Sequence, residues 1–226
     1  ANNIWGNAAS VLVGDYLYSK AFKLMTEYGD LRIIRVLAET TNVMAEGEVF
    51  QLVKCGDMNL TETEYLTIVE KKTSYLISAA CAVGAILGGA PPSHVESLKR
   101  FGMHVGSAFQ IIDDTLDYMA REERFGKAIG KDLEEGKMTL PLIRTLGLCD
   151  EGERKRVTDI IRNPKRDSGT VAEILRLIER HDGIGYTIKK AESYIEAGKA
   201  ILASFPESAG RSALSAIADY VVTRDM

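Results

Sequence analysis

The sequence predicts an all-α protein of 226 residues, and three observations carry that expectation. Apolar residues recur at helical spacing almost throughout, and no stretch alternates apolar and polar residues as a half-buried strand would. The interruptions coincide with clusters of Gly, Pro, Asn and Asp. Helix-start signatures of the capping-box form, Ser or Thr followed three residues later by Glu, stand at Thr61, Ser93 and Thr170.

Breaks fall near Gly29-Asp30, Gly56-Asp57, Gly89 to Pro92, Gly126 to Gly136, Asn163 to Gly169 and Asp182 to Gly185. They leave about eight or nine helices with short connections and one longer Gly/Lys-rich connection between Arg121 and Lys137. Pro206 is expected to open the last helix. Thr73 to His94 lacks charge and is long enough to cross a membrane. Its centre is dominated by Ala and Gly, however, and Pro91-Pro92 ends it. The reading is a buried helix whose small residues let neighbours approach closely, with no membrane span. Without repeats, low-complexity tracts or a linker, one domain over residues 1–226 is the simplest organisation.

Net charge is −4, with both signs interleaved along the chain. That argues against nucleic-acid binding, which concentrates Lys and Arg on one surface. Cys55, Cys81 and Cys149 are scattered and form no Cys-x-x-Cys pair, as expected of reduced thiols in a cytoplasmic protein. His94, His104 and His181 show no metal-ligand spacing. Ala1 to Asn7 has neither the basic nor the apolar region of a signal peptide.

The chemistry concentrates between Phe109 and Tyr118. At 100° per residue, Gln110, Asp113 and Asp117 fall within roughly 60° of one another, with Asp114 at the border of the stripe. Apolar residues flank it on both sides, whereas a solvated face would be wider and carry Lys or Glu. Carboxylates set among apolar residues need a partner, and a cation such as Mg²⁺ with its waters and phosphate oxygens fits. Three Gly-Lys pairs follow, Gly126-Lys127, Gly130-Lys131 and Gly136-Lys137. Their spacing is not that of a P-loop; beside the Asp stripe they suggest ammonium groups directed at an anion. Lys72 shares a helix face with Tyr65, Ile68, Val69 and Leu76, whereas Lys71 points elsewhere. An isolated lysine there would snorkel to solvent; beside the other features, an inward lysine meeting a phosphate is the better reading. Glu46 is explained equally by a helix–helix hydrogen bond and by substrate binding.

These residues together resemble the trans-prenyl diphosphate synthases, particularly their long-chain bacterial members. The resemblance runs through Gly6-Asn7, Val11-Leu12, Gly14-Asp15, Ala21-Phe22, Glu46-Gly47-Glu48, Lys72-Thr73, Phe109-Gln110, Asp113-Asp114-x-x-Asp117, Gly126-Lys127, Asp132-Leu133 and Gly136-Lys137. It implies an isoprenoid-synthase-type helical bundle around a central cavity, assembled as a homodimer. It also implies Mg²⁺-dependent, head-to-tail condensation of isopentenyl diphosphate with an allylic diphosphate. By the same resemblance Asp113, Asp114 and Asp117 are the metal-binding second Asp-rich motif. Lys72, Lys127 and Lys137 neutralise the departing diphosphate, with Thr73 and Gln110 as neighbouring contacts.

Family members carry a first Asp-rich motif, an Arg-Arg pair and the isopentenyl diphosphate site ahead of the segment resembling Ala1-Asn2. The expectation is therefore a fragment, the C-terminal two-thirds of a synthase domain and inactive alone. The competing readings are a non-catalytic subunit of a heteromeric synthase and another class I terpenoid enzyme.

Overall fold

A computed structural model describes residues 2–119, 131–163 and 168–224, and among these no strand occurs. The helices are α1 (Asn2–Tyr28), α2 (Leu31–Lys54), α3 (Glu62–Val69), α4 (Tyr75–Leu87), α5 (Pro92–Met119), α6 (Lys131–Glu134), α7 (Leu140–Leu146), α8 (Glu151–Arg162), α9 (Ser168–Arg180), α10 (Gly183–Leu202) and α11 (Ala209–Thr223). Helix α5 is the central column, and its most extensive partners are α10 and α4. Phe101, Val105, Ala108, Ile111 and Ile112 on α5 meet Leu140 and Leu142 of α7, Ile174 and Ile178 of α9, and Ala191 and Ile195 of α10 in one apolar cluster. Helix α1 lies against α2 and leaves Trp5, Leu12, Tyr16 and Leu17 exposed.

The capping box at Thr61 forms as expected: Thr61 accepts the Glu64 N–H, and Glu64 accepts the Thr61 N–H. The other two expected boxes do not, because α5 already begins at Pro92 and α9 at Ser168, which puts Ser93 and Thr170 inside helices. Pro at the first helical position has no N–H to leave unpaired, and the His94 N–H reaches the Pro91 carbonyl. Pro206 does not open the last helix; Ser208 caps it by accepting the Arg211 N–H. A further capping box joins Asp150 and Glu153 at the start of α8.

Helices α3 and α4 are continuous through a widened π turn, Glu70–Ser74, in which the Tyr75 N–H reaches back five residues to the Glu70 carbonyl. The buried residues are Tyr65, Ile68 and Val69 before the turn, and Ser78, Ala79, Ala82, Ala85 and Ile86 after it. Leu76, placed on the core face by uninterrupted helical spacing, is 48% exposed. The small-residue reading of this segment holds on the α5 side alone. There an added Cβ on Gly106 would lie 2.5 Å from Ser74 Cα, and one on Gly102 2.6 Å from Ser78 Cα. On the other side of the turn, a Cβ on Gly47 of α2 would meet Lys71 Cβ at 2.8 Å and the Lys72 nitrogen at 3.0 Å. Glycine thus lets two helices clasp the π turn at backbone distance. No helix among the described residues is long and apolar enough to cross a membrane.

Candidate active site

Helices α2, α3 and α5, the π turn and the segment after α6 enclose a cleft of about 250 Å³. Its lining includes Lys54, Lys72 and Lys137 together with Asp113, Asp114 and Asp132, among apolar residues such as Leu60, Ile68 and Val69. Gln110 and Asp113 of the stripe, the inward lysine and the third Gly-Lys pair therefore meet in space, with Asp117 bonded to the cleft residue Asp132. Lys127 lies outside the described residues.

The three aspartates of the motif occupy different environments. Asp113 is 59% exposed, with the Arg224 guanidinium 3.5 Å away. Asp117 is half-buried and accepts the backbone N–H of Asp132 at 2.9 Å. Asp114, expected at the border of the stripe, is only 8% exposed. Its Oδ2 accepts from the Tyr65 hydroxyl at 2.6 Å and its Oδ1 from Gln110 Nε2 at 2.8 Å. Burial pushes its carboxyl up to about 7, against the lowering effect of those two hydrogen bonds. Burial, and then the charge of Asp114, push the Tyr65 hydroxyl well above the ordinary tyrosine range. Gln110 in turn accepts from Thr73 Oγ1 at 2.7 Å. The two expected substrate contacts, Thr73 and Gln110, are thus bonded to each other.

Lys72 donates to Gln51 Oε1 at 2.8 Å and lies 3.3 Å from Glu48, on the cleft wall. Lys71 donates to Glu46 at 2.8 Å, outside the cleft lining, which gives Glu46 its helix–helix contact. The two ammonium-bearing side chains are almost equally exposed, 30% and 34%, so partners and direction distinguish them. Lys137 bridges Asp132 and Glu135, each at 2.8 Å. Burial alone would lower its pKa, but these hydrogen bonds outweigh it and hold the ammonium well above the usual lysine range.

Four residues near the cleft carry no site role in the sequence analysis. Asp132 and Gln51 line it. Tyr65 and Arg224 reach Asp114 and Asp113 from elements 49 and 111 positions away in the sequence, beyond any local pattern. Arg224 caps α11, stacks 4.0 Å over the Phe109 ring and donates to the Phe109 carbonyl at 3.2 Å. Its Nε is buried without a partner among the described residues.

Elsewhere Cys149, Glu153 and His181, remote in sequence, come within 4.8 Å of one another. The Glu153 carboxylate already serves Arg180 at 2.6 Å, His181 at 3.3 Å and the α8 cap. Protein donors therefore account for that cluster.

The cleft thus joins an accessible carboxylate to ammonium groups, a donor set suited to a hard divalent cation and a polyanionic phosphate together. The profile of the polyprenyl synthetase family matches residues 1–178. The octaprenyl diphosphate synthase of Escherichia coli K12 is 38% identical over all of this chain and 69% of its own length. The decaprenyl diphosphate synthase structure from Rhodobacter capsulatus superposes with a TM-score of 0.93 at 39% identity, covering 100% of this chain and 69% of that one. A polyprenyl synthase from Caulobacter crescentus, complexed with calcium and isoprenyl diphosphate, gives a TM-score of 0.94 at 37% identity over 100% and 69% of the respective chains. The chain belongs to the polyprenyl synthetase family.

Proposed function

We propose that this cleft is the diphosphate end of a prenyl-elongating active site, in which Asp113 and Asp117 hold Mg²⁺ and Lys72 and Lys137 face the diphosphate. Family membership, with relatives named for octaprenyl and nonaprenyl synthesis, makes the chain a transferase that lengthens prenyl chains. In the reaction an allylic diphosphate loses diphosphate, the double bond of isopentenyl diphosphate attacks the allylic cation, and a proton leaves. A bound Mg²⁺ ion supplies Lewis-acid neutralisation of the phosphate oxygens.

The observation that carries the assignment is the pairing of an accessible Asp113 with Lys72 and Lys137 on one cleft wall system. Their ammonium groups act most strongly when negative charge develops on the leaving group, because they are already in place. The partly apolar lining strengthens each such interaction by displacing water. Hard carboxylate oxygens favour Mg²⁺ or Ca²⁺ over a thiolate-seeking metal, and the calcium and isoprenyl diphosphate of the Caulobacter protein support that choice. Asp114, expected as a third metal ligand, has both oxygens engaged by protein donors, and we place it outside the ligand set. Lys127 keeps its expected role as a further diphosphate contact.

For assembly we infer a homodimer, supported by the exposed apolar residues of α1. A relative named as component 2 of a heptaprenyl diphosphate synthase, 33% identical, favours a heteromer as the second reading.

The test is incorporation of labelled isopentenyl diphosphate into longer allylic products by the full-length protein, with Mg²⁺ or with EDTA. Elongation should require the ion, and Asp113→Asn should lower kcat about a hundredfold or more without unfolding the protein. Metal-independent elongation, or full activity in Asp113→Asn, would overturn the assignment.

A further inference from the structure

We propose that Tyr65 is a positioning residue of the diphosphate site, acting through Asp114 to set the placement of Lys72 relative to Asp113. This rests on the function proposed above. The observation is a chain of hydrogen bonds that crosses three elements. Tyr65 on α3 donates to Asp114 on α5; Gln110, one turn earlier on α5, donates to the other carboxylate oxygen; Thr73 in the π turn donates to Gln110. Tyr65 and Asp114 are both buried, at opposite ends of a 2.6 Å contact.

Thr73 is the immediate neighbour of Lys72, and Asp114 of Asp113. Half-buried Thr73 and buried Asp114 are therefore each one residue from a group that faces the cleft. A metal–diphosphate unit bridging Lys72 and Asp113 requires a fixed gap between the π turn and α5, and this network spans that gap. Both Asp114 oxygens are held by protein donors, Tyr65 at Oδ2 and Gln110 at Oδ1, so swinging the carboxylate out to meet a hydrated cation would break one of those bonds. In a buried setting such a break costs the full desolvation of the group left behind. The motif thus divides its labour: Asp113 is turned outward, and Asp114 is turned inward as the strut on which Tyr65 pulls.

The test uses the full-length protein, with Mn²⁺ and inorganic diphosphate as the probe. Mn²⁺ binding is read by loss of the free-ion electron paramagnetic resonance signal, and diphosphate affinity by calorimetry. Tyr65→Phe keeps the ring and removes only the donor; Asp114→Asn keeps the shape and removes the charge, so folding of either can be checked by circular dichroism. Each should weaken Mn²⁺-dependent diphosphate binding about tenfold while leaving the number of bound Mn²⁺ ions unchanged. The double variant should be no weaker than the worse single one, since both act through one contact. In a Lys72→Ala background the Tyr65→Phe effect should disappear, an outcome that general loosening of the fold would not give.

Wild-type affinity in Tyr65→Phe would overturn the proposal. So would a Tyr65→Phe loss undiminished by Lys72→Ala, or loss of a bound Mn²⁺ ion in Asp114→Asn. Asp113→Asn separates the two levels of inference: if it binds Mn²⁺ and diphosphate as the wild type does, the site assignment itself fails.

Discussion

Replacing Gly106 by alanine tests how closely α5 must approach the π turn, with Gly84→Ala as its matched control. Both glycines lie inside helices, so both gain up to about 1 kcal/mol from the better helix propensity of alanine. At Gly84 the added methyl meets nothing within 4 Å. At Gly106 it lies 2.5 Å from Ser74 Cα and 3.0 Å from Ser74 Cβ. Comfortable carbon contacts are about 3.5–4.0 Å, so the backbones must part by about 1 Å. A backbone atom cannot rotate aside as a side-chain end can. Overpacking of this kind costs about 1–3 kcal/mol, and since the propensity gain cancels between the two variants, that range is their expected difference. At about 2–4 °C per kcal/mol for a chain of this size, Gly106→Ala should melt roughly 2–12 °C below Gly84→Ala. Thermal and urea unfolding followed by far-ultraviolet circular dichroism measure the two differences. A Gly106→Ala protein as stable as Gly84→Ala would refute the close approach, and with it the geometry that brings Thr73 within reach of Gln110.

Two further outcomes follow from the charged groups of the cleft. In the full-length protein Lys72→Ala should lower kcat/KM for the allylic diphosphate about a hundredfold, equivalent to about 3 kcal/mol, whereas Lys71→Ala should stay within about 0.5 kcal/mol of wild type; equal losses would show that the two directions have been confused. Arg224→Met removes a cation 3.5 Å from Asp113 and retains an apolar side chain over Phe109, so the Mg²⁺ concentration for half-maximal activity should fall about fivefold. A rise in that requirement would mean that Arg224 supports the metal-bound state instead of competing with it.

The parts of this molecule that could be read from the sequence are those whose partners are local. The Thr61 box closes over three residues, and the 100° rotation that aligns Asp113 with Asp117 needs nothing outside α5. The Asp150–Glu153 box was equally local but is spelled with Asp in place of Thr or Ser. Asp114 shows where local reading ends. Its rotation puts it at the edge of the stripe, yet its role depends on Tyr65, held in place by the packing of α3 on α5. Arg224 arrives from the far end of the described chain. The π turn has no spelling of its own either: Glu-Lys-Lys-Thr-Ser is ordinary helical sequence. The clasp of Gly47 and Gly106 around it becomes visible only when the backbones are placed.

That widened turn makes the spacing between Tyr65 and Ser74 a functional quantity in its own right. Deleting Glu70 or Lys71 would let the segment close to regular α-helical pitch, at about 100° per residue. Everything on one side of the deletion would then swing relative to the other, although every chemically active side chain could still be present. Tyr65 could keep Asp114 or Ser74 could keep its seat under Gly106, but not both. A segment exchanged between this chain and a relative must therefore carry the turn whole. Two chimaeras with identical active-site residues, one cut inside the turn and one outside it, would differ as a key does from the same key with its teeth displaced by one notch.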